Sequence, residues 1–139
     1  MSYATPEELI VAVSDPQLVV DLTGVSEVEE ATAAITRALV SASSEIDSYL
    51  ATKYTLPLPT VPDRLRELCI DIAFYKLLNF RPLGDIEDTR RRYTDAIKFL
   101  ERLADGKVSL GLPTAEAAAV TVSGTTHISS PSVFDNLGY

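Results

Sequence analysis

Four stretches of the chain repeat apolar residues at intervals of three and four, which is the period of an amphipathic helix. The first stretch begins at a capping box, with Thr5 as the N-cap and Glu8 three residues later. Pro6 stands at the first helical position, where its missing N–H costs nothing. We expect this helix to end near Val13, because Pro16 disfavours helical backbone at the residue before it.

The second stretch predicts a long amphipathic helix that starts at a capping box, Ser26 to Glu29, and ends near Thr52. Its small residues include Ala31, Ala34, Ala38 and Ala42. Such small side chains allow a neighbouring helix to approach closely. That neighbour can belong to the same chain or to another one.

Three prolines, Pro57, Pro59 and Pro62, separate this helix from the third and predict an extended, stiff connector. Pro62 suits the first turn of the third helix, which the Arg81-Pro82 pair ends. The apolar residues of this helix lie nearly all the way round it: Leu65, Leu68, Cys69, Ile70, Ile72, Ala73, Phe74, Tyr75, Leu77 and Leu78. A helix of this kind is expected at the centre of a bundle.

The fourth helix is expected to be capped by Asp85 or Asp88 and to end at the glycine of Asp105-Gly106-Lys107. It contains a basic run, Arg90 to Arg92, in an otherwise acidic chain. This run has two interpretations. It binds a phosphate or an acidic partner, or it pairs within the helix with three nearby acids: Asp85, Glu87 and Asp88.

The composition changes after Leu112-Pro113, where Ser, Thr, Gly and Ala become frequent and Lys and Arg are absent. Val120 to Val122 and His127 to Ser129 alternate like short strands. We therefore predict a mainly α fold: residues 1–112 form a small bundle of about four helices, and residues 113–139 form an extended C-terminal arm with short strands. The apolar side chains expected to contact a partner are Ile128, Pro131, Val133, Phe134, Leu137 and Tyr139.

The chain has 139 residues, which is the size of one domain with a full hydrophobic core. Its formal net charge of -8 repels DNA phosphates and anionic lipids, so nucleic acid binding and a membrane surface are disfavoured as functions. The single cysteine, Cys69, lies in an apolar stretch and is expected in the core. A secretory signal and an apolar run of transmembrane length are not found in the sequence.

Residues for chemistry are sparse in this sequence. The only histidine, His127, lies in the arm, away from any rigid scaffold that could place it beside a nucleophile. Glycine-rich phosphate loops and clusters with metal-ligand spacing are both missing. We therefore expect a protein without catalytic activity, cofactor or metal.

Several segments in order along the chain resemble the family of head-to-tail connector, or head-completion, proteins of Mu-like phages and prophages. The segments are Tyr3 to Thr5, Ser43 to Leu50, Lys53 to Leu58, Asp71 to Tyr75, Arg92 to Ile97, Gly106 to Leu110 and Ser129 to Phe134. The resemblance covers nearly the whole chain, and it is the order and spacing of these segments that make it specific.

This resemblance implies a structural protein of the virion neck that is assembled in the host bacterial cytoplasm. Several copies, twelve to match the portal, would form a ring beneath the portal protein and extend the DNA channel. The ring would offer a platform for the next neck or tail component, and DNA would pass without sequence-specific binding.

Other functions remain open on the sequence. Another neck or tail-terminating ring protein would show the same helical body and arm. A small helical adaptor or regulator would instead bind one protein partner through the alanine-rich second helix, and it would be a monomer or dimer with a dispensable arm. A DNA-binding regulator would need a basic recognition helix, to which only Arg90 to Arg92 with Lys98 and Arg102 could contribute, and the acidic helix start beside them opposes it.

Overall fold

A computed structural model describes residues 2–13, 17, 21, 28–80 and 86–115, apart from the side chains of Val28 and Phe80. These residues form four α-helices and contain no β-strand: α1 (Pro6–Val13), α2 (Val28–Leu50), α3 (Asp63–Phe80) and α4 (Glu87–Ala104). Helix α3 packs against each of the other three, and α2 also packs against α1 and α4. The prediction of a mainly helical bundle is confirmed.

The start of α1 is held by the predicted capping box. The Thr5 N–H donates to Glu8 Oε2 at 2.8 Å, and the Glu8 N–H donates to Thr5 Oγ1 at 3.3 Å. Leu9 is fully buried and fixes the inner face of this short helix to the bundle. The second predicted capping box depends on Ser26, which lies outside the described residues.

The core follows the apolar period that the sequence predicts. On α2 the buried side chains recur every three or four residues: Ala31, Ile35, Leu39, Ala42, Ile46 and Leu50. Seven buried side chains lie along α3: Leu65, Leu68, Cys69, Ile72, Ala73, Leu77 and Leu78. Helix α4 adds three apolar ones, Ala96, Leu100 and Leu103. Helix α3 is therefore central, as expected, and Cys69 belongs to the core.

The connector between α2 and α3 is not helical, but its ends differ slightly from those predicted. Helix α2 ends at Leu50 instead of near Thr52, where the Leu50 carbonyl accepts hydrogen bonds from the N–H groups of Lys53 and Tyr54. Tyr54 and Leu58 are buried, and the Leu56–Pro57 peptide bond is cis. Pro62 precedes α3 as its cap, because its carbonyl accepts the first helical hydrogen bond, from the Arg66 N–H.

The two ends of α4 compare differently with the prediction. Asp88 as the N-cap is wrong, since Ile86 occupies that position without a side-chain hydrogen bond and Asp88 lies in the first turn. Asp85 lies outside the described residues. The glycine stop is confirmed: Gly106 adopts a φ of 77°, and the Lys107 N–H donates to the Arg102 carbonyl at 2.8 Å in a Schellman motif.

Candidate functional site: the root of the C-terminal arm

The chain does not leave the body where α4 ends. Residues 105–115, here called the strap, run from the end of α4 to the connector that follows α2. The Leu110 N–H donates to the hydroxyl oxygen of Tyr54 at 3.1 Å, and the Ala115 N–H donates to the Lys53 carbonyl at 2.8 Å. The strap is therefore fixed at two points to a part of the chain more than fifty residues earlier.

Apolar contacts hold the strap as well as hydrogen bonds. Val108, Leu110 and Leu112 are partly buried against the core. A Cβ added at Gly106 would lie 3.3 Å from Lys53 Nζ, so the strap begins in close contact with the residue that receives its far end. The segment that follows Ala115 consequently starts beside the C-terminal end of α2.

Tyr54 is the side chain that joins the connector to the strap. Its ring is buried, with 4% of its surface exposed, and its hydroxyl is the acceptor for Leu110. This role was not predicted from the sequence, where Tyr54 is one of several apolar residues in a proline-rich stretch. Sequence periodicity carries no signal for a contact between residues so distant in the chain.

Replacing Tyr54 by Phe is expected to lower the free energy of unfolding by about 1 to 2 kcal/mol, because the part-buried Leu110 N–H loses its acceptor. Chemical denaturation followed by circular dichroism measures this change. Tyr75→Phe is the matched control, since in the described part of the chain the Tyr75 hydroxyl makes no hydrogen bond while its ring stacks on Tyr93. Equal losses in the two variants would contradict the role of Tyr54.

The six apolar residues predicted as the partner interface all lie outside the described residues: Ile128, Pro131, Val133, Phe134, Leu137 and Tyr139. The two short strands predicted at Val120 to Val122 and His127 to Ser129 lie there too. The structure places only the start of the arm, through the strap. The division at residue 112 and the interface itself stay predictions.

The basic run at the start of α4 pairs within its own helix. Arg90 contacts Glu87 at 3.1 Å, and Asp88 receives both Arg91 at 2.6 Å and Arg92 at 3.1 Å. These side chains are largely exposed, so each pair contributes little to stability. The pairing interpretation is confirmed for Glu87 and Asp88, whose two carboxylates offset most of the charge of the three arginines.

A polar cluster fixes the N-terminal segment across α2 and α3. The Tyr3 N–H donates to Ser43 Oγ at 3.0 Å, and the Tyr3 hydroxyl donates to Asp47. Ser43 Oγ lies 3.4 Å from Cys69 Sγ. Burial raises the pKa of the Cys69 thiol and outweighs the hydrogen bonds that lower it, so the thiol stays protonated and has little nucleophilic character.

A second polar cluster joins α2, α3 and α4 at the surface. The Tyr93 hydroxyl donates to Glu45 Oε1 at 2.9 Å, and Lys76 Nζ lies 3.1 Å from Glu45 Oε2. The Tyr75 and Tyr93 rings stack with centroids 4.3 Å apart. These contacts join each of the three helices to the other two and so help to fix their relative positions. This cluster was not predicted from the sequence, although Lys76 lies within the apolar run from Ile72 to Leu78, which signals that a partner for its charge lies nearby.

Stability is expected to fall as the pH rises from about 10 to about 12, because three tyrosines, Tyr3, Tyr49 and Tyr93, have a raised pKa and resist ionisation in the folded state. Burial, then the hydrogen bond to Glu45, raises the pKa of Tyr93 to about 12. Burial, then the hydrogen bond to Asp47, also raises the pKa of Tyr3. Each contributes stability that is complete below the unfolded pKa and is lost toward the folded one.

The measurement is the urea midpoint of unfolding across this alkaline range. Tyr93→Phe is expected to lose less stability with rising pH than the unaltered protein, since one of the three tyrosine ionisations is removed. An unchanged pH dependence in that variant would contradict the assignment.

Neither a metal site nor a membrane span is found in the ranges that the structure describes. Within 2–13, 28–80 and 86–115 there is no group of three or more side chains that could hold a metal ion together. None of the four helices combines the length and the apolar character that a membrane crossing requires.

Comparison with known proteins relates the chain to phage Mu. A family model described as Bacteriophage Mu, Gp36 matches residues 3–128. The Mu-like prophage FluMu protein gp36 of Haemophilus influenzae is 40% identical over 102 residues, which are 73% of this chain and 70% of that protein. Gene product J of Escherichia phage Mu is 32% identical over 120 residues, 86% of this chain and 83% of that protein. Each match takes in more than two thirds of both chains.

Proposed function

The chain belongs to the Bacteriophage Mu Gp36 family, and from this membership we propose that it is a structural head-to-tail connector of a Mu-like phage or prophage. Several copies, with twelve as the expected number, assemble in the host cytoplasm into a ring under the portal protein. The ring extends the DNA channel in the neck of the virion and receives the next neck or tail component. The protein performs no catalysis in this role.

The observation that carries the proposal is the extent of the family match. It runs from residue 3 to residue 128 and so takes in all four described helices, the strap and part of the arm. The match thus includes the helical body and residues 113–128 of the arm, and it ends before most of the predicted interface residues. A helical body with its own hydrophobic core and a C-terminal arm for binding is an arrangement compatible with a protein that connects other proteins.

The strap supports a role for the arm in attachment. An extended segment that binds a partner loses conformational freedom, and this loss is smaller when one end is already fixed. Here that end is fixed by the two hydrogen bonds of the strap and its apolar contacts. The apolar residues from Ile128 to Tyr139 then reach the portal or a neighbouring copy by strand addition or by lying in a groove.

The charge of the chain supports a passive channel. With twenty acidic and twelve basic residues, a ring of copies carries a large negative charge. Such a ring repels DNA phosphates at short range, so a genome passes without being retained. The basic run of α4 does not reverse this, since its arginines pair with Glu87 and Asp88.

The experiment that tests the proposal is the mass of the full-length protein by light scattering, alone and mixed with the portal ring of the same source. One bound copy per portal subunit is the expected result. A monomer or dimer that does not bind the portal would contradict the proposal and favour a small adaptor or regulator with a single protein partner.

A further inference from the structure

Charge is distributed unevenly along the first third of the chain. Residues 1–36 contain seven acidic residues and no Lys or Arg, and the first basic residue is Arg37. By contrast, residues 31–44 of α2 contain no acidic residue. The N-terminal helix is thus acidic, while the middle of α2 offers a surface whose only charge is positive.

Each of these regions presents one exposed apolar side chain. In the described ranges, the large hydrophobic residues that stand exposed are Val11 on α1, at 76%, and Val40 on α2, at 45%. Val11 is one helical turn from Glu7, and Val40 is one turn from Arg37. Glu7 and Arg37 are both exposed, and neither forms an ion pair within the part of the chain that the structure describes.

The two regions form surfaces of opposite charge, each with one exposed valine. The α1 face, Glu7 and Val11, lies on the side of α1 opposite the buried Leu9. The α2 face consists of exposed, mostly small residues: Ala33, Arg37, Val40, Ser41 and Ser44. Small residues around a valine form a shallow surface against which another helix can lie closely.

We propose that the α1 face of one copy of this chain packs on the α2 face of the next copy, with Val11 against Val40 and Glu7 opposite Arg37. This interface rests on the proposed function, because a connector ring requires contacts between its copies. It specifies which surfaces meet.

Charge complementarity selects a second copy as the occupant and determines the pairing of the faces. Two α1 faces brought together would oppose acidic surfaces, and two α2 faces would oppose their arginines. Only the mixed pairing places an acid against a base and buries both valines. Because it joins two different surfaces, each added copy leaves one free face of each kind, and the series ends when a ring closes.

The test uses full-length chains in which each face carries one cysteine. Val11→Cys protein is mixed with Val40→Cys protein that bears a size tag, and a short bismaleimide is added with and without the portal ring of the same source. The reagent joins two thiols, and the buried Cys69 does not compete for it. A tagged–untagged product is expected in large excess over the products of either variant alone.

Two matched variants make the result specific. Thr94→Cys on the exposed surface of α4 replaces Val40→Cys as a control and is expected to give little product. Arg37→Glu in the Val40→Cys chain is expected to lower the yield about tenfold, because like charges then face each other. Glu7→Lys in the partner chain restores it. A yield that is insensitive to Arg37→Glu, or equal for Thr94→Cys, would overturn the interface.

Portal binding, read separately by co-sedimentation, distinguishes this interface from the proposed function. Copies that bind the portal without the Val11–Val40 product would overturn the interface and leave the connector function standing. The specific product without portal binding would support the interface and overturn the connector function. Loss of both would overturn both.

Discussion

A chain that ends at Asp105 is expected to be less stable than the full-length protein by about 3 kcal/mol, whereas one that ends at Ala115 keeps nearly all of its stability. The shorter chain loses the three apolar side chains that pack on the core, Val108, Leu110 and Leu112. It also leaves the Tyr54 hydroxyl without the Leu110 N–H. Urea unfolding followed by circular dichroism gives both free energies.

The same pair of truncations separates the strap from the arm. Under the connector proposal, the chain that ends at Ala115 remains folded but loses its attachment to the portal, because residues 116–139 are gone. The stability measurement shows that the loss is not due to unfolding. If this chain bound the portal as well as the full-length protein, the arm would not be the anchor.

Ile72→Ala is expected to lower the free energy of unfolding by about 3 to 4 kcal/mol. Ile72 is fully buried in α3, which packs against the other three described helices, so its truncation leaves a cavity that the helices cannot close without moving. Ile70→Ala deletes the same atoms two residues away, where the side chain is only partly buried. That control is expected to cost about 1 kcal/mol, and equal costs would contradict the central position of α3.

The helices could be predicted because their signals are local. Apolar residues around the whole of α3 require neighbours on several sides, and only a central position supplies them. The capping box at Thr5 and the stop at Gly106 involve residues three to five positions apart, so the sequence displays them directly. The relationship to Mu-like phage proteins, carried by short segments in a fixed order, is confirmed at the level of the family.

Errors arose where local signals compete. Asp88 was predicted as a cap for α4, but in the structure its carboxylate binds Arg91 and Arg92, and the N-cap is Ile86, which makes no side-chain hydrogen bond. Thr52 is compatible with a helix, yet α2 stops at Leu50 because the chain must turn to bury Tyr54. In both cases a contact outside the pattern decides the boundary.

The candidate site was the least predictable part. The strap depends on a hydrogen bond between residues 56 positions apart, which leaves no trace in periodicity. The composition predicts a change near Pro113, which stays a prediction, but the contacts of Leu112 and Ala115 with the body are set by the tertiary fold. The interface from Ile128 to Tyr139 and the connector role remain proposals.

The strap also determines how the protein bears mechanical load. Among the contacts of the described residues, a pull from the C-terminal side is expected to act first on the hydrogen bond between Ala115 and Lys53, and then on that between Leu110 and Tyr54. The force is therefore applied to the helical body next to the C-terminal end of α2. Helix α4 is not pulled directly until both of these hydrogen bonds have broken. Under the connector proposal, we expect such a tether to yield in steps, so that an assembly under tension would extend slightly at its joints while the helices remain folded.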